Sequence, residues 1–279
     1  MFHALVAIKQ VPDTTNIRID PDTGNLVREG VPAIMNPYDA HALAAAVEWK
    51  RKLNGRVTVI SMGPPSFTTT LREAIELGAD RAILLSDRKF AGADTLATSY
   101  VLAEVIRAVH SDDPVDLIFF GKQAIDGDTA QVGPGVAVRL DFPIVTYAVN
   151  VRAIDLNEAT IVVERKTERW TEVVETPLPA LVTCEKEIAA IPFAPLPDLI
   201  KSLRYDPEIW TLAGPVEFAA DEIGVRGSPT IVYQMGTPPL PEAGEKINTR
   251  EAGVSATLDL VFKKAEDAGV LDAMLGGAQ

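Results

Sequence analysis

The strongest constraint on this chain is a rhythm. Over its first half, short apolar runs rich in β-branched residues alternate with stretches of helical pattern. "ALVAIK" (residues 4–9) is continuously apolar, as a strand covered on both faces must be. "NPYDAHALAAAVEWKRKL" follows as a helix, with Asn36 as N-cap and Pro37 at its first position. Strands are then expected at 56–62, 81–86 and 115–121. Helices are expected in "SFTTTLREAIELGAD", in "ADTLATSYVLAEVIRAVH" and near 129–140, with a fifth strand in "PIVTYAV". Helices of this length between strands imply right-handed crossovers and a mainly parallel, doubly wound α/β sheet. Near residue 150 the pattern changes to period two, which predicts antiparallel strands at the sheet edge. Residues 185–205 carry several prolines and no clean period, and read as an extended arm; an amphipathic helix is expected at 255–270. "DPDTGN" between two short runs in residues 13–30 signals a hairpin.

An open parallel sheet binds ligands beyond the carboxyl ends of its strands, where strand order reverses. With the order 3-2-1-4-5, that crevice lies between the first and fourth strands. "GKQAIDGDTAQVGPG" (121–135) leaves the fourth strand there. Gly127 and Gly133 permit close backbone approach and positive φ. A helix starting at Asp128 or Thr129 presents free amides and about half an elementary positive charge, which suit a phosphate. Thr129 and Gln131 add neutral hydrogen bonds. Asp126 and Asp128 repel phosphate, so a ribose hydroxyl or a helix cap is their expected partner. The competing reading is an ordinary loop before a capped helix.

A second cluster, residues 86–99, places Gly92, Asp94, Thr95 and Thr98 at a helix start, as an N-cap or as a second phosphate contact. Both loops together would suit an extended diphosphate. "NPYDA" offers a backbone edge for adenine, and Met62 serves either as core or as packing for a base. The net charge of −13 argues against nucleic acid and anionic membranes as partners. One cysteine and three scattered histidines provide neither a disulfide framework nor metal spacing. The "MFHALVAIKQ" start reads as a strand rather than a signal, and no apolar run has the length of a membrane span, so a cytoplasmic protein is expected.

Taken together, "VAIKQVPDT", "MNPYDAHAL", "SMGPP", "GADRAILLSDRKFAGADTLATS" and "GKQAIDGDTAQVGPG" resemble the β (small) subunit of electron-transfer flavoproteins, from residue 1 to about 235. The resemblance implies an adenine-nucleotide-hydrolase-like fold and a heterodimer with a flavin-carrying α subunit. It maps the nucleotide pocket onto Ala7, Asn36, Pro37, Tyr38, Asp39, Met62 and the Ala124–Gly135 segment; the cofactor-binding candidates along this loop are Gln123, Ala124, Ile125, Asp126, Gly127, Asp128, Thr129, Ala130, Gln131, Val132 and Gly133. Simple relatives hold AMP there. Bifurcating relatives hold a second FAD and carry the "GADTLATS" cluster found here, so the resemblance favours FAD. It further implies NADH as donor, and ferredoxin or flavodoxin plus a quinone oxidoreductase or acyl-CoA dehydrogenase as acceptors. Lys9, Gln10 and Pro12 edge the same crevice. No catalytic acid or base is assigned.

The same resemblance makes "PLPDLIK" a partner-recognition loop, with Leu196 as anchoring leucine and Lys201 at a position methylated in some relatives. The lysine-rich run that follows in those relatives is absent here. The expected organisation is a nucleotide/flavin-binding domain over residues 1–184, the recognition arm over 185–205, and an extension over 206–279 packing on the α subunit.

Overall fold

All five residues of β1 (His3–Ala7) are buried, as its uninterrupted apolar run requires. The computed structural model describes residues 1–13, 18–19, 26–27, 32–231 and 246–270. After β1 come β2 (Gln10–Pro12), the paired strands β3 (Arg18–Ile19) and β4 (Leu26–Val27), and β5 (Ala33–Met35), which pairs with β2. The antiparallel β3–β4 pair is the hairpin read from sequence; its "DPDTGN" turn lies outside the described residues. The regular alternation follows as α1 (Pro37–Leu53), β6 (Arg56–Met62), α2 (Thr68–Glu76), β7 (Arg81–Leu85), α3 (Thr95–Asp112) and β8 (Leu117–Gly121).

Beyond β8 the structure departs from the sequence reading in three places. Helix α4 (Val132–Leu140) starts later than expected, because Asp128 (φ 50°) and Ala130 (φ 54°) hold left-handed backbone that no α-helix accommodates. The strands β9 (Ile144–Asp155), β10 (Thr160–Lys166) and β11 (Thr171–Pro177) form the antiparallel edge, but β12 (Ala180–Cys184) does not extend it. It inserts between β8 and β9, parallel to both. The order is therefore β11-β10-β9-β12-β8-β1-β6-β7-β13, with 3-2-1-4 as expected and the fifth strand displaced by one place. Burial explains the choice. Every residue of β12 is buried, whereas β9 alternates buried and exposed positions and suits the margin. Third, residues 196–203 of the proline-rich arm form a short helix, α5 (Leu196–Leu203), beside α2. The strand β13 (Glu208–Trp210) then pairs parallel with β7.

Helices cover both faces of the sheet. Ala4 and Val6 of β1 pack with Leu43, Val47, Leu71 and Ile75 of α1 and α2. Leu5 and Ala7 pack with Val101, Val105, Val136 and Ala137 of α3 and α4. The chain forms two compact units, Met1–Met235 and Gly236–Gln279. In the second, α6 (Thr249–Ala252) packs on α7 (Val254–Asp267), the amphipathic helix expected near the end. Among the described residues no helix is long and apolar enough to cross a membrane.

The ladder between β1 and β8 ends at the Ala7–Phe120 pair, and the strands part beyond it. A side chain of α1 takes over. The buried Asp39 carboxylate accepts from the Lys9 amide (2.8 Å) and from the Gly121 amide (3.1 Å), one oxygen to each strand. A Cβ on residue 121 would overlap that carboxylate, so the position admits only glycine. Burial pushes the Asp39 carboxyl up to about 7, against the opposing pull of hydrogen bonds from Asn36 and from those two amides.

Two expected outcomes follow from this architecture. Leu181 of β12 is fully buried, whereas Leu156 is 40% exposed. Leu181→Ala costs about 2–5 kcal/mol in denaturant titrations and Leu156→Ala stays within about 0.5 kcal/mol. A small cost at Leu181 contradicts an interior β12. For Asp39, a folded pKa raised to about 7 gives a contribution that is complete below the unfolded value and fades as pH rises toward 7. Asp39→Asn stays neutral throughout, so its stability deficit against wild type narrows between about pH 4 and about pH 7. A deficit that is flat or grows across that window shows a carboxylate ionised throughout.

Candidate nucleotide-binding crevice

A cavity of about 1410 Å³ opens at the carboxyl ends of β1, β6, β7 and β8, where strand order reverses. It exceeds the roughly 300–1000 Å³ of ordinary small-molecule sites. Ala7, Ile60 and Phe120 give it an apolar floor. Two loops wall it, residues 121–131 after β8 and residues 86–94 after β7.

The first loop is braced from below by α1. Fully buried Asn36 donates from Nδ2 to the Gln123 carbonyl (2.9 Å) and accepts at Oδ1 from the Ile125 amide (3.2 Å). Asn36 is the N-cap residue of α1, as read from sequence, but its side chain serves this loop and makes no cap bond to the helix. The Lys9 ammonium closes the loop from the β1 side, bonding both Asp126 oxygens at 2.8 and 2.7 Å. Gln123 donates to Asp128 at 2.6 Å. Neither aspartate caps α4, whose N-cap residue Gln131 makes no side-chain cap bond. Of the two partners expected for these aspartates, the helix cap is not made; Asp126 pairs with Lys9 and Asp128 accepts from Gln123.

The two glycines differ in role. A Cβ on Gly127 meets nothing within 4 Å, so the backbone there is open toward the cavity. On Gly133 it would lie 2.8 Å from Thr183 Cγ2, so this glycine lets α4 pack on the sheet. Positive φ falls on Asp128 and Ala130 rather than on either glycine. Val132 and Gly133, in the first turn of α4, line the cavity with amides that have no intrahelical partner.

In the second loop Asp94 is the N-cap of α3, accepting at Oδ1 from the Leu96 and Ala97 amides (2.9 and 3.1 Å). Thr95 Oγ1 donates to Gln131 Oε1 at 2.9 Å and joins the two walls. Gly92 and Thr98 also line the cavity, as does Met62, half-buried against the core. Arg88 lines it too, and among the described residues its guanidinium has no hydrogen bond or ion pair.

Of the residues singled out in the sequence, Ala7, Lys9, Asp39, Met62, Gly92, Asp94, Thr95, Thr98, Gln123, Ala124 and Asp126 through Gly133 meet around this cavity. Asn36, Pro37, Tyr38 and Ile125 do not line it. Asn36 and Ile125 brace the loop from behind, Pro37 begins α1, and the Tyr38 ring lies under the ammonium groups of Lys122 (6.0 Å) and Lys186 (4.9 Å). Leu196, 67% exposed, and Lys201, also exposed, sit on α5. Sequence reasoning missed Phe67, Ser86, Lys122, Pro229 and Thr230. The rule that ligands sit at strand ends reaches Ser86 and Lys122, whereas no local signal announces Pro229 or Thr230.

Residues 23–200 match the electron transfer flavoprotein domain family. A protein FixA of Azotobacter vinelandii is 46% identical over 252 residues, 90% of each chain. An electron transfer flavoprotein subunit beta of Thermoanaerobacterium thermosaccharolyticum is 45% identical, covering 88% of this chain and 91% of its own. The caffeyl-CoA reductase-Etf complex subunit CarD of Acetobacterium woodii is 44% identical, covering 87% and 90%. With the crevice at the reversal point and these matches along nearly its whole length, the chain belongs to the electron-transfer flavoprotein family, as a β subunit.

Proposed function

We propose that this β subunit holds FAD in the crevice and works in a heterodimer with an α subunit as a bifurcating electron-transfer flavoprotein. Electrons from NADH divide between a high-potential acceptor, a quinone oxidoreductase or acyl-CoA dehydrogenase, and low-potential ferredoxin or flavodoxin. The observation that carries the reading is the joining of two loops of phosphate-binding character around one cavity, through Thr95 and Gln131. AMP needs one such loop, whereas an extended diphosphate uses both. The cavity also fits the group chemically. Open backbone at Gly127, first-turn amides of α4 and Arg88, unpaired among the described residues, favour an anion, and the apolar floor accepts a ring system.

When bound, the flavin supplies the hydride and single-electron chemistry. This chain's residues bind and orient. Loop 121–131 supplies amides, Lys9 places a cation at the rim, and Asn36 with Asp39 fixes the loop against β1. Lys9 and Asp126 are 46% and 31% exposed, so their pair contributes only about 0–1 kcal/mol and sets geometry more than stability. Among relatives, one is named as part of a caffeyl-CoA reductase complex, which favours a CoA-thioester enzyme as the high-potential partner. Exposed Leu196 at the start of α5 is the proposed anchor for such a partner.

Cofactor extraction from the purified heterodimer yields two FAD on this reading; one FAD with one AMP rejects it. Gly127→Asp adds bulk and negative charge where the backbone is open, so flavin falls toward one per heterodimer while the α-subunit flavin persists. Unchanged flavin content contradicts an anion at this loop. Leu196→Ala slows electron delivery to the dehydrogenase by about tenfold, the cost of a modest hot spot, and spares NADH oxidation by artificial dyes. Equal loss of both activities removes Leu196 from partner recognition.

A further inference from the structure

The segment that follows β13 bears directly on the second wall of the cavity. It crosses residues 86–100 and is fastened to them at several points. Leu212 N donates to Asp87 Oδ2 (3.4 Å), Phe218 stacks edge-on against Phe90 at 5.4 Å, and Ala219 N donates to the Tyr100 hydroxyl (2.9 Å). At Gly224 the backbones come so close that a Cβ would overlap the Lys89 carbonyl, and the φ of +54° there also favours glycine. The strap ends at the cavity, where Pro229 and Thr230 form part of the lining.

Asp94 is where strap and wall are joined. Its Oδ1 caps α3, and its Oδ2 accepts from both the amide (3.1 Å) and the hydroxyl (2.7 Å) of Thr230. Its own amide donates to Ser228 Oγ at 2.8 Å. With both carboxylate oxygens engaged by the protein, Asp94 is not a free acceptor for a ribose. Those hydrogen bonds also hold its carboxyl below the usual range, although burial acts the other way and is the larger single influence.

We propose that Thr230 and Asp94 are positioning residues for a dinucleotide: their bond fixes loop 86–98 as the second wall, so that the cavity takes a dinucleotide in preference to a mononucleotide. The inference rests on the functional reading above and adds to it the part of the chain that decides the ligand's size class. Loop 121–131 has its own braces in Asn36, Asp39 and Lys9, and meets the strap-held wall at its far end, through Thr95 and Gln131. A ligand held by the first loop alone is indifferent to Thr230, whereas one spanning both loops is not.

The test uses heterodimers carrying Asp94→Asn, Thr230→Val and Thr230→Ser. Asparagine caps a helix as well as aspartate does, but one oxygen cannot serve both α3 and Thr230, so Asp94→Asn separates the two roles. Valine keeps the shape of threonine and its amide but removes the shorter hydroxyl bond to Asp94, and serine restores that hydroxyl. Dissociation constants for FAD and AMP at the β-subunit site are measured, with amide hydrogen exchange of residues 86–98 in the unloaded protein. Asp94→Asn and Thr230→Val weaken FAD about tenfold, in keeping with loss of a hydrogen bond to a charged group. They leave AMP affinity unchanged and speed exchange in 86–98, while Thr230→Ser behaves as wild type. Unchanged FAD affinity, parallel loss of FAD and AMP, or unchanged exchange overturns the tie while the functional reading stands. A wild-type heterodimer that takes up no FAD at this site refutes the functional reading and this inference with it.

Discussion

The site depends on one buried carboxylate. Neighbouring parallel strands satisfy each other's amides only while they run together, and β1 and β8 must part to leave room for a ligand. Their next amides, Lys9 and Gly121, are then orphan donors at the edge of a buried core, which folded chains rarely tolerate. Asp39 satisfies both, one oxygen to each strand. It therefore continues the sheet by other means at the level where the cavity begins. Asn36, one helical turn earlier, extends the same service to Gln123 and Ile125. The first turn of α1 thus sets the distance between the strand ends and the height of the loop above them.

That arrangement carries costs in the places where function would use them. A desolvated carboxyl is expensive, which its upward-shifted pKa expresses. Asp128 and Ala130 hold left-handed backbone, at roughly 1–3 kcal/mol each for residues with a side chain. Both lie in the loop that walls the cavity, between the strand and the late start of α4. The strain delays the helix until Val132 and leaves the intervening backbone irregular. An ordinary crossover in this fold passes from strand to helix without such a detour, so the detour itself marks the loop.

Much of this fold was legible because its signals are local. The strand at 56–62 is read to the residue from its apolar run, and the 3-2-1-4 order follows from handed crossovers. The placement of β12 was not legible. Its run sits directly after two alternating strands, and only its complete burial, known from the tertiary structure, separates it from them. Helix α5 was missed for the opposite reason, since its two turns lie among prolines that read as extended chain. Within the site, types and positions were visible in Gly127, Asp94 and Gln131, but partners were not. Asn36 satisfied every local rule for a cap and was used 87 positions away. Asp126 was read as a helix cap or a ribose partner; it caps nothing and meets Lys9 across 117 positions. Spacing rules describe what one element presents, and these bonds depend on which elements the fold brings together.

The stretch from α5 to the cavity illustrates the same point at larger scale. Arg72 of α2 donates to the Tyr205 carbonyl and pairs with Asp206, which pins the end of the arm. Arg81 then grips Glu208 through two parallel bonds of 2.7 and 2.9 Å while β13 pairs with β7. Bidentate geometry of this kind fixes direction as well as distance. From β13 the chain passes under Phe90 and Tyr100 to Thr230 at the cavity lining. The element that carries Leu196 and the wall that carries Asp94 are thereby anchored to one rigid sheet edge, not to each other. A shared frame of paired strands fixes the places of these two segments without any direct contact between them.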